Sequence, residues 1–292
     1  LQKILAIGDQ AIIYPAHGAG SVCGSGMADR EFSTLGHEQK NNPRLQITDR
    51  DEFIRAKTSE THYQPPYFRL MERLNTEGSE PAPRIAAPKP VALKEFLALE
   101  SDHTIDLRNP TAFATAHFPG SLCLPVDMVP SFAGWFIAEG ESIKLVAEEQ
   151  SDLATTCEHL IRIGLDNVIA GYTGLVPAAA QGIDLDNLPM VDTQTVEQRL
   201  ADSDGDWTLL DVRAADEVAR ARIKSARHIY AGHLNECWRD LEPDRHYTVM
   251  CASGMRATIA AGTSPPRAMA TTASNGPSSL RRQASARLSR WN

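Results

Sequence analysis

The sequence predicts an α/β fold in which two consecutive parallel sheets each carry helices on both faces. The first observation is the alternation of strand-like and helix-like segments after residue 90, which is typical of parallel sheets with crossover helices. The second observation is an internal repeat within that region. The third is a strand–loop–helix pattern at residues 247–261, with a cysteine where the strand ends.

Composition limits the class of protein. The chain has 292 residues, enough for about two domains, and its 42% hydrophobic and 23% charged residues are ordinary for a soluble globular protein. The net charge of −8 argues against general nucleic-acid binding, and no apolar run approaches the ~20 residues of a membrane-spanning helix. The cysteines are scattered and lack C-x-x-C spacing, so we expect a reduced, cytoplasmic protein without membrane or nucleic-acid partners.

Residues 1–75 form the first block. Residues 11–14 predict a short buried strand that runs into the glycine-rich turn 15–21, which carries His17. The chain begins in what resembles the middle of a helix, so we expect it to be the C-terminal part of a longer protein. Residues 76–90 are rich in proline and alanine, which predicts a linker.

The internal repeat follows this linker. Residues 91–175, the first repeat, and residues 186–262, the second repeat, share the order strand, Asp-x-Arg, helix, turn, short strand, helix, strand, loop, helix. The alignment places Thr104–Phe113 against Leu209–Val218. Each repeat therefore predicts its own parallel sheet.

The two repeats differ where the last loop begins and ends. Cys251 of the second repeat corresponds to Ala147 of the first, and Arg256 corresponds to Asp152. The first repeat lacks a nucleophile and a cationic loop end. We therefore expect it to fold without performing the chemistry of the second.

The loop from Cys251 to Arg256 is the candidate catalytic site. It follows the apolar run 247–250 and precedes the helix-like run 257–261. Backbone N–H groups in such a loop can converge on the sulfur, and a helix N-terminus adds partial positive charge. Both effects, together with the permanent charge of Arg256, lower a thiol pKa and favour the nucleophilic thiolate. The predicted substrate-binding groups are those of Ala252, Ser253, Gly254 and Met255. The alternative is a buried structural cysteine.

We expect other residues of the second repeat and the remaining cysteines to have mainly structural roles. Asp211 and Arg213 end a strand at the edge of the site, where Asp211 is expected to bind backbone N–H groups or pair with an arginine. Cys123 and Cys157 lie in apolar runs and are expected in the core. Cys237 is expected to pack, and a role as a resolving thiol stays open.

Residues 263–292 have an atypical composition. They contain five arginines and no acid, which predicts disorder. The first repeat continues past the corresponding point with the rest of a helix, a glycine and a final strand, which we expect the second copy to lack. An out-of-frame reading and a natural basic tail are both open explanations.

Both repeats resemble rhodanese-like domains. The first carries Asp106-x-Arg108, Phe113 and His117-Phe-Pro-Gly120. The second carries Asp211-x-Arg213 and the C-x-x-G-x-R pattern of Cys251–Arg256, although Arg222-Ile-Lys-Ser225 replaces the usual His-Ile-Pro-Gly turn. The resemblance implies tandem rhodanese-like domains across residues 91–262.

Residues 1–75 resemble the C-terminal end of a metallo-β-lactamase αββα fold. Tyr14-Pro-Ala-His17-Gly is similar to the loop that bears the last metal-proximal histidine of that fold, and Thr34–Pro43 and Tyr67-Phe68 fit the tail of persulfide dioxygenase-like members. The whole arrangement resembles persulfide dioxygenase–rhodanese fusions. It implies one iron (or zinc) ion in a complete parent domain, with His17 as a ligand. We expect no cofactor in this chain, because the other ligands would lie upstream.

The resemblance implies a sulfurtransferase that moves sulfane sulfur through a Cys251 persulfide. The implied small-molecule partners are thiosulfate, glutathione persulfide and sulfite, and a homo-oligomer is left open. Cysteine phosphatases place five residues between cysteine and arginine, whereas four lie between Cys251 and Arg256, which favours the smaller sulfane group. Two alternatives remain: the repeats are non-catalytic packing or partner-binding modules, or the protein is a metallohydrolase, such as a thioesterase, with its activity upstream.

Overall fold

The computed structural model of the chain divides into two compact units, residues 1–64 and 65–292. The boundary precedes residues 65–75, which the sequence had assigned to the first block. The described residues are 2–16, 30–60, 63–78, 88–202, 206–242, 245–263 and 269–272.

The first unit is described in part. Its elements are α1 (Gln2–Leu5), β1 (Ile12–Ile13), β2 (Ser33–Thr34), α2 (Leu35–Asn41) and α3 (Arg50–Thr58), and β1 pairs with β2 antiparallel. Thr34 caps α2 by accepting the His37 N–H at 3.2 Å. The predicted strand at residues 11–14 exists as β1, but Ile12 is exposed, so the expectation of a buried strand was wrong.

The second unit holds two parallel sheets, with strand orders β4-β3-β5-β6 (the first sheet) and β7-β11-β10-β8-β9 (the second sheet). Its elements are α4 (Tyr67–Glu77), α5 (Leu93–Ala98), β3 (His103–Asp106), α6 (Pro110–Thr115), β4 (Leu122–Cys123), α7 (Val129–Phe136), β5 (Ile143–Ala147), α8 (Gln150–Arg162), β6 (Val168–Thr173), α9 (Val176–Ala180), β7 (Met190–Val191), α10 (Thr193–Asp202), β8 (Trp207–Asp211), α11 (Ala215–Arg220), β9 (Arg227–His228), α12 (Leu234–Cys237), β10 (His246–Met250), α13 (Met255–Gly262) and β11 (Met269–Thr272).

The two sheets have the same topology. In both, the short strand (β4 or β9) lies beside the first long strand, followed by the next two strands along the chain; the second sheet also has β7 at its far edge. A single parallel bridge between Pro90 and Gly171 extends the first sheet at the edge that β7 occupies in the second. The prediction of parallel sheets is confirmed.

The central strands lie in the core, as parallel strands covered on both faces do. All five residues of β5 are buried, and in β10 every residue after His246 is buried. Phe96, Phe118 and Tyr172 pack together in the first sheet's core. Among the described residues, no helix is long and apolar enough to cross a bilayer.

A buried ion pair stands at the end of β3 and again at the end of β8. Arg108 Nη2 lies 2.6 Å from Asp106 Oδ2, and Arg213 Nη2 lies 2.6 Å from Asp211 Oδ2. Each aspartate also accepts the backbone N–H of its arginine, at 3.0 Å and 3.2 Å respectively. Each arginine donates a further hydrogen bond of 2.6 Å to the carbonyl that follows the next helix. The Asp-x-Arg pattern therefore closes the turn from strand to helix in both sheets.

The end of the second sheet corrects an expectation. Residues 269–272 were predicted to be disordered, and the second copy was expected to lack its final strand, but they form β11 between β10 and β7. A central parallel position supplies main-chain partners on both sides, which compensates for weak side-chain signals. Residues 264–268 and 273–292 lie outside the described residues.

Replacing Asp106 tests the buried pair of the first sheet. Asp106→Ala leaves the Arg108 guanidinium buried without its carboxylate, so urea unfolding should show a loss of about 3–5 kcal/mol. Asp106→Ala combined with Arg108→Leu removes both charges and should lose less than the single variant. A double variant that loses at least as much as Asp106→Ala would contradict the assignment.

Candidate functional site

Cys251 lies at the carboxyl end of β10. In the second sheet, Met250 pairs with Asp211, so the Cys251 loop and the Asp211–Arg213 turn share one edge of the sheet. Carboxyl edges of parallel sheets are where such folds place their ligands. The cysteine is only 4% exposed and is followed by the exposed residues Ala252 and Ser253.

Gly254 shapes the loop. Its φ of +91° lies in the left-handed region, which favours glycine. Its N–H donates to Cys251 Sγ at 3.1 Å, and α13 begins at the next residue. The sulfur therefore has a backbone donor and lies next to a helix N-terminus, which carries partial positive charge. The sequence predicted that N–H groups of the loop converge on the sulfur, and the N–H of Gly254 makes such a hydrogen bond.

Arg256 closes the loop through an ion pair with Glu217 of α11. Its Nη1 lies 2.5 Å from Glu217 Oε2, and its Nη2 lies 2.9 Å from Glu217 Oε1. Glu217 Oε2 also accepts the Ala214 N–H at 3.1 Å. The positive charge predicted for the loop end is thus balanced by a carboxylate, and the pair ties α13 to α11.

The ion pair shifts the pKa of both Glu217 and Arg256. Burial alone would raise the pKa of Glu217, but the hydrogen bond and the charge of Arg256 outweigh it, and the pKa is lowered. The hydrogen bond from Arg256 to Glu217 raises the pKa of Arg256 further, against the effect of its burial. Both groups are therefore ionised at neutral pH.

Glu217 was missed by the sequence reasoning. The repeat alignment carried a signal for it, because the position corresponding to Glu217 in the first repeat is Ala112. Ala147 and Asp152 already stand where the second repeat has its cysteine and arginine. The first repeat therefore lacks both charged or nucleophilic side chains of the loop, and also the α11 glutamate that pairs with the loop arginine.

The first repeat also shapes this connection differently. Helix α8 begins at Gln150, so Glu148 and Glu149 connect it to β5, whereas residues 251–254 connect β10 to α13. Two exposed glutamates stand beside the position where the second repeat places its sulfur. Carboxylates at this position disfavour an anionic substrate.

The other described cysteines do not share this environment. Cys123 and Cys157 are buried, as predicted, and burial raises the pKa of both thiols, to about 11 for Cys157. Cys237 is half-buried at the end of α12. Neither buried thiol is suited to act as a nucleophile at neutral pH. Cys23 lies outside the described residues.

The metal site implied by the resemblance has no support in the part of the chain that the structure describes. There, no three His, Cys, Asp or Glu side chains lie together as a metal site requires. His17 and the rest of the glycine-rich turn after residue 16 lie outside the described residues. The described residues do not fit a metal centre, and we derive no chemical step through a metal.

Comparison with known proteins shows what the second repeat is similar to. Residues 192–273 match the Rhodanese-like domain family, a range that includes β11 as well as the Cys251 loop. A curated relative, "Putative sulfurtransferase YtwF" of Bacillus subtilis (strain 168), is 35% identical over 66 residues, or 23% of this chain. The chain spans 63% of that relative's length. The C-terminal part of the chain is therefore similar to rhodanese-like domains.

Solved structures show likeness of fold. The crystal structure of a metallo-beta-lactamase from Staphylococcus aureus subsp. aureus COL is 24% identical with a TM-score of 0.50, covering 59% of this chain and 47% of that chain. This likeness shows a fold shared by part of this chain and part of that protein. A thiosulfate sulfurtransferase from Pseudomonas aeruginosa is 19% identical over 65% of this chain and 41% of its own, with a TM-score of 0.28, too low to support an argument.

The Arg256–Glu217 pair predicts a pH-dependent stability. The folded-state pKa of Glu217 lies below its ordinary 4.5, so the pair contributes fully above pH 4.5 and its contribution is lost as the pH falls through the folded-state value. Glu217→Gln should therefore destabilise the protein by about 1–3 kcal/mol at pH 7, and the difference from wild type should narrow in acid. Thermal unfolding of both proteins across pH 3–7 measures this. A difference that stays constant would contradict the ion pair.

Proposed function

We propose that the second repeat is a sulfurtransferase site in which Cys251 carries sulfane sulfur as a persulfide. The observation that carries this proposal is the Gly254 N–H directed at Cys251 Sγ, at the N-terminus of α13, inside the range that matches the Rhodanese-like domain family. The name of the curated relative supports the same class of chemistry.

The first half-reaction loads the enzyme. The Cys251 thiolate attacks the outer sulfur of a donor, R–S–SH or thiosulfate, and forms a new S–S bond. The donor's S–S bond breaks, and its electron pair leaves with RS⁻ or sulfite. The transferred sulfur keeps its oxidation state, so no separate oxidant or reductant takes part.

The second half-reaction unloads it. A nucleophile such as sulfite, cyanide or a thiol attacks the outer sulfur of Cys251–S–S⁻, and the breaking S–S bond returns its electron pair to Cys251. Sulfite gives thiosulfate, and a thiol gives a new persulfide. The two half-reactions form a ping-pong cycle.

The loop geometry favours the loaded state. The Gly254 N–H and the adjacent helix N-terminus supply fixed dipoles that stabilise negative charge on sulfur without reorganising. Arg256 acts in this proposal through its bond to Glu217, which holds the start of α13 against α11. The loop positions the nucleophile and the pair holds the loop.

We assign no sulfur transfer to the first repeat. Ala147 cannot act as a nucleophile, and the glutamates that follow it repel an anionic donor. For the whole protein we propose a role in handling persulfides, with thiosulfate or glutathione persulfide as donor to Cys251. This extension rests on the resemblance of residues 1–75 and on the likeness of fold.

Intact mass tests the proposal. Incubation with thiosulfate or glutathione persulfide should add one sulfur atom to the wild type and none to Cys251→Ser, and cyanide should remove it. Cys237→Ser is the matched control and should load like the wild type. An adduct that persists in Cys251→Ser, or a folded wild type that takes no sulfur, would refute the proposal.

Gly254→Ala tests the loop. A side chain at a left-handed position costs about 1–2 kcal/mol, so we expect the loop to relax and to misplace the N–H that donates to the sulfur. Loading should slow by about tenfold or more, as when one donor to a developing charge is misplaced. Gly182→Ala, at another left-handed glycine where an added Cβ would meet no atom within 4 Å, measures the backbone strain alone and should load at the wild-type rate. Equal loading by both variants would show that the Gly254 donor is dispensable.

A further inference from the structure

The aromatic side chains of α7, in the first repeat, contact the turn that follows β9 in the second. The Trp135 ring lies 5.7 Å from the Tyr230 ring and 5.2 Å from the His233 ring, both edge to face. The Tyr230 and His233 rings lie 5.7 Å apart. The indole is thus enclosed by two rings of the turn, and such pairs contribute beyond their buried area.

Gly232, between these two residues, allows the close approach. A Cβ on Gly232 would lie 2.5 Å from Trp135 Cδ2 and 2.7 Å from Cε2. Any side chain at this position would displace either the indole or the turn. Trp135 is 8% exposed, so the contact is an interior one.

The same turn borders the catalytic loop. The Ala231 N–H donates to Val212 O at 3.1 Å, which places the turn beside the Asp211–Arg213 segment. The turn Ala231–His233 packs against α13, the helix that carries Arg256. A shift of this turn therefore shifts the surroundings of Arg256.

The first repeat also contacts the far end of α13. A Cβ on Gly262 would lie 3.3 Å from the Cys123 N atom, 3.5 Å from Phe113 Cζ and 3.6 Å from Ser121 O. The helix that begins at the catalytic loop therefore packs against the first repeat where it ends. Its beginning packs against a turn that the first repeat holds through Trp135.

Helix α7 is itself fixed from another side. Tyr67 of α4 packs on Gly134, where no Cβ could be accommodated, and its hydroxyl donates to Pro130 O at 3.4 Å. Arg73 of the same helix pairs with Glu139 at 2.9 Å. Trp135 is thus presented to the second repeat from a helix that cannot easily move.

We propose that the first repeat, although it lacks a nucleophile, is a positioning part of the Cys251 site. Trp135 is the positioning residue, and it acts through the turn Tyr230–His233 on the Arg256 loop. The activity readout of this proposal rests on the proposed sulfur transfer. A second readout, the reactivity of Cys251 toward iodoacetamide, does not.

A double-variant cycle on the full chain tests the contact. Trp135→Leu and Gly232→Ala should each slow sulfur loading from thiosulfate by about tenfold, because small displacements of a catalytic constellation have large effects on rate. The two substitutions disturb one contact, so the double variant should be no slower than the slower single variant. Phe96→Leu, in the core of the first sheet and away from the turn, is the matched control for loss of stability.

The outcomes separate positioning from stability. Phe96→Leu should lower the unfolding temperature and leave loading by the folded protein near the wild-type rate. Equal loading by Trp135→Leu and Phe96→Leu, or multiplicative losses in the double variant, would overturn the proposal. If the wild type takes no sulfur, the proposed function fails, and alkylation by iodoacetamide then tests the positioning role. Trp135→Leu must raise the alkylation rate of Cys251 several-fold over that of Phe96→Leu, because a loosened loop exposes a buried thiol.

Discussion

The left-handed turn at Gly254 is the constraint on which the catalytic loop depends. It lets the chain leave β10, reverse over Cys251 and start α13 within four residues, and it directs an N–H group at the sulfur. The turn alone would be free to open. The bond from Arg256 to Glu217 fixes the first turn of α13 to α11, so two helices and a strand end hold one thiol.

Comparison of the two sheets distinguishes the residues that the fold requires from those that the proposed sulfur transfer requires. Both keep the buried aspartate–arginine pair that closes the first strand, with nearly the same hydrogen bonds. The first repeat lacks the cysteine and arginine of the loop and the glutamate of α11, and it has Gln150 at the position of Gly254, preceded by two glutamates. It keeps the packing surface of α7, which contacts the second repeat. The first repeat has no nucleophile but contacts the second repeat through α7, which is consistent with a role in supporting the Cys251 site.

Much of the fold followed from local signals. Alternating apolar runs and the Asp-x-Arg repeat indicated two parallel sheets, because strand ends and turns recur with the same spacing. The strand Met269–Thr272 did not follow, since its pairing with β10 and β7 comes from neighbours distant in sequence. Glu217 was missed for the same reason, as it pairs with an arginine 39 residues away. The contacts of α4 with α7 and Glu139 did not follow from the sequence either, since they join residues more than 60 positions apart.

The most direct test of the central claim is a crystal structure of the wild-type protein soaked in a persulfide or thiosulfate. We expect one additional sulfur atom bonded to Cys251 Sγ at about 2.05 Å, the length of an S–S bond, within reach of the Gly254 N–H and with the Arg256–Glu217 pair intact. Sulfur found on Cys237 instead, or an unmodified Cys251 beneath an opened loop, would contradict the account.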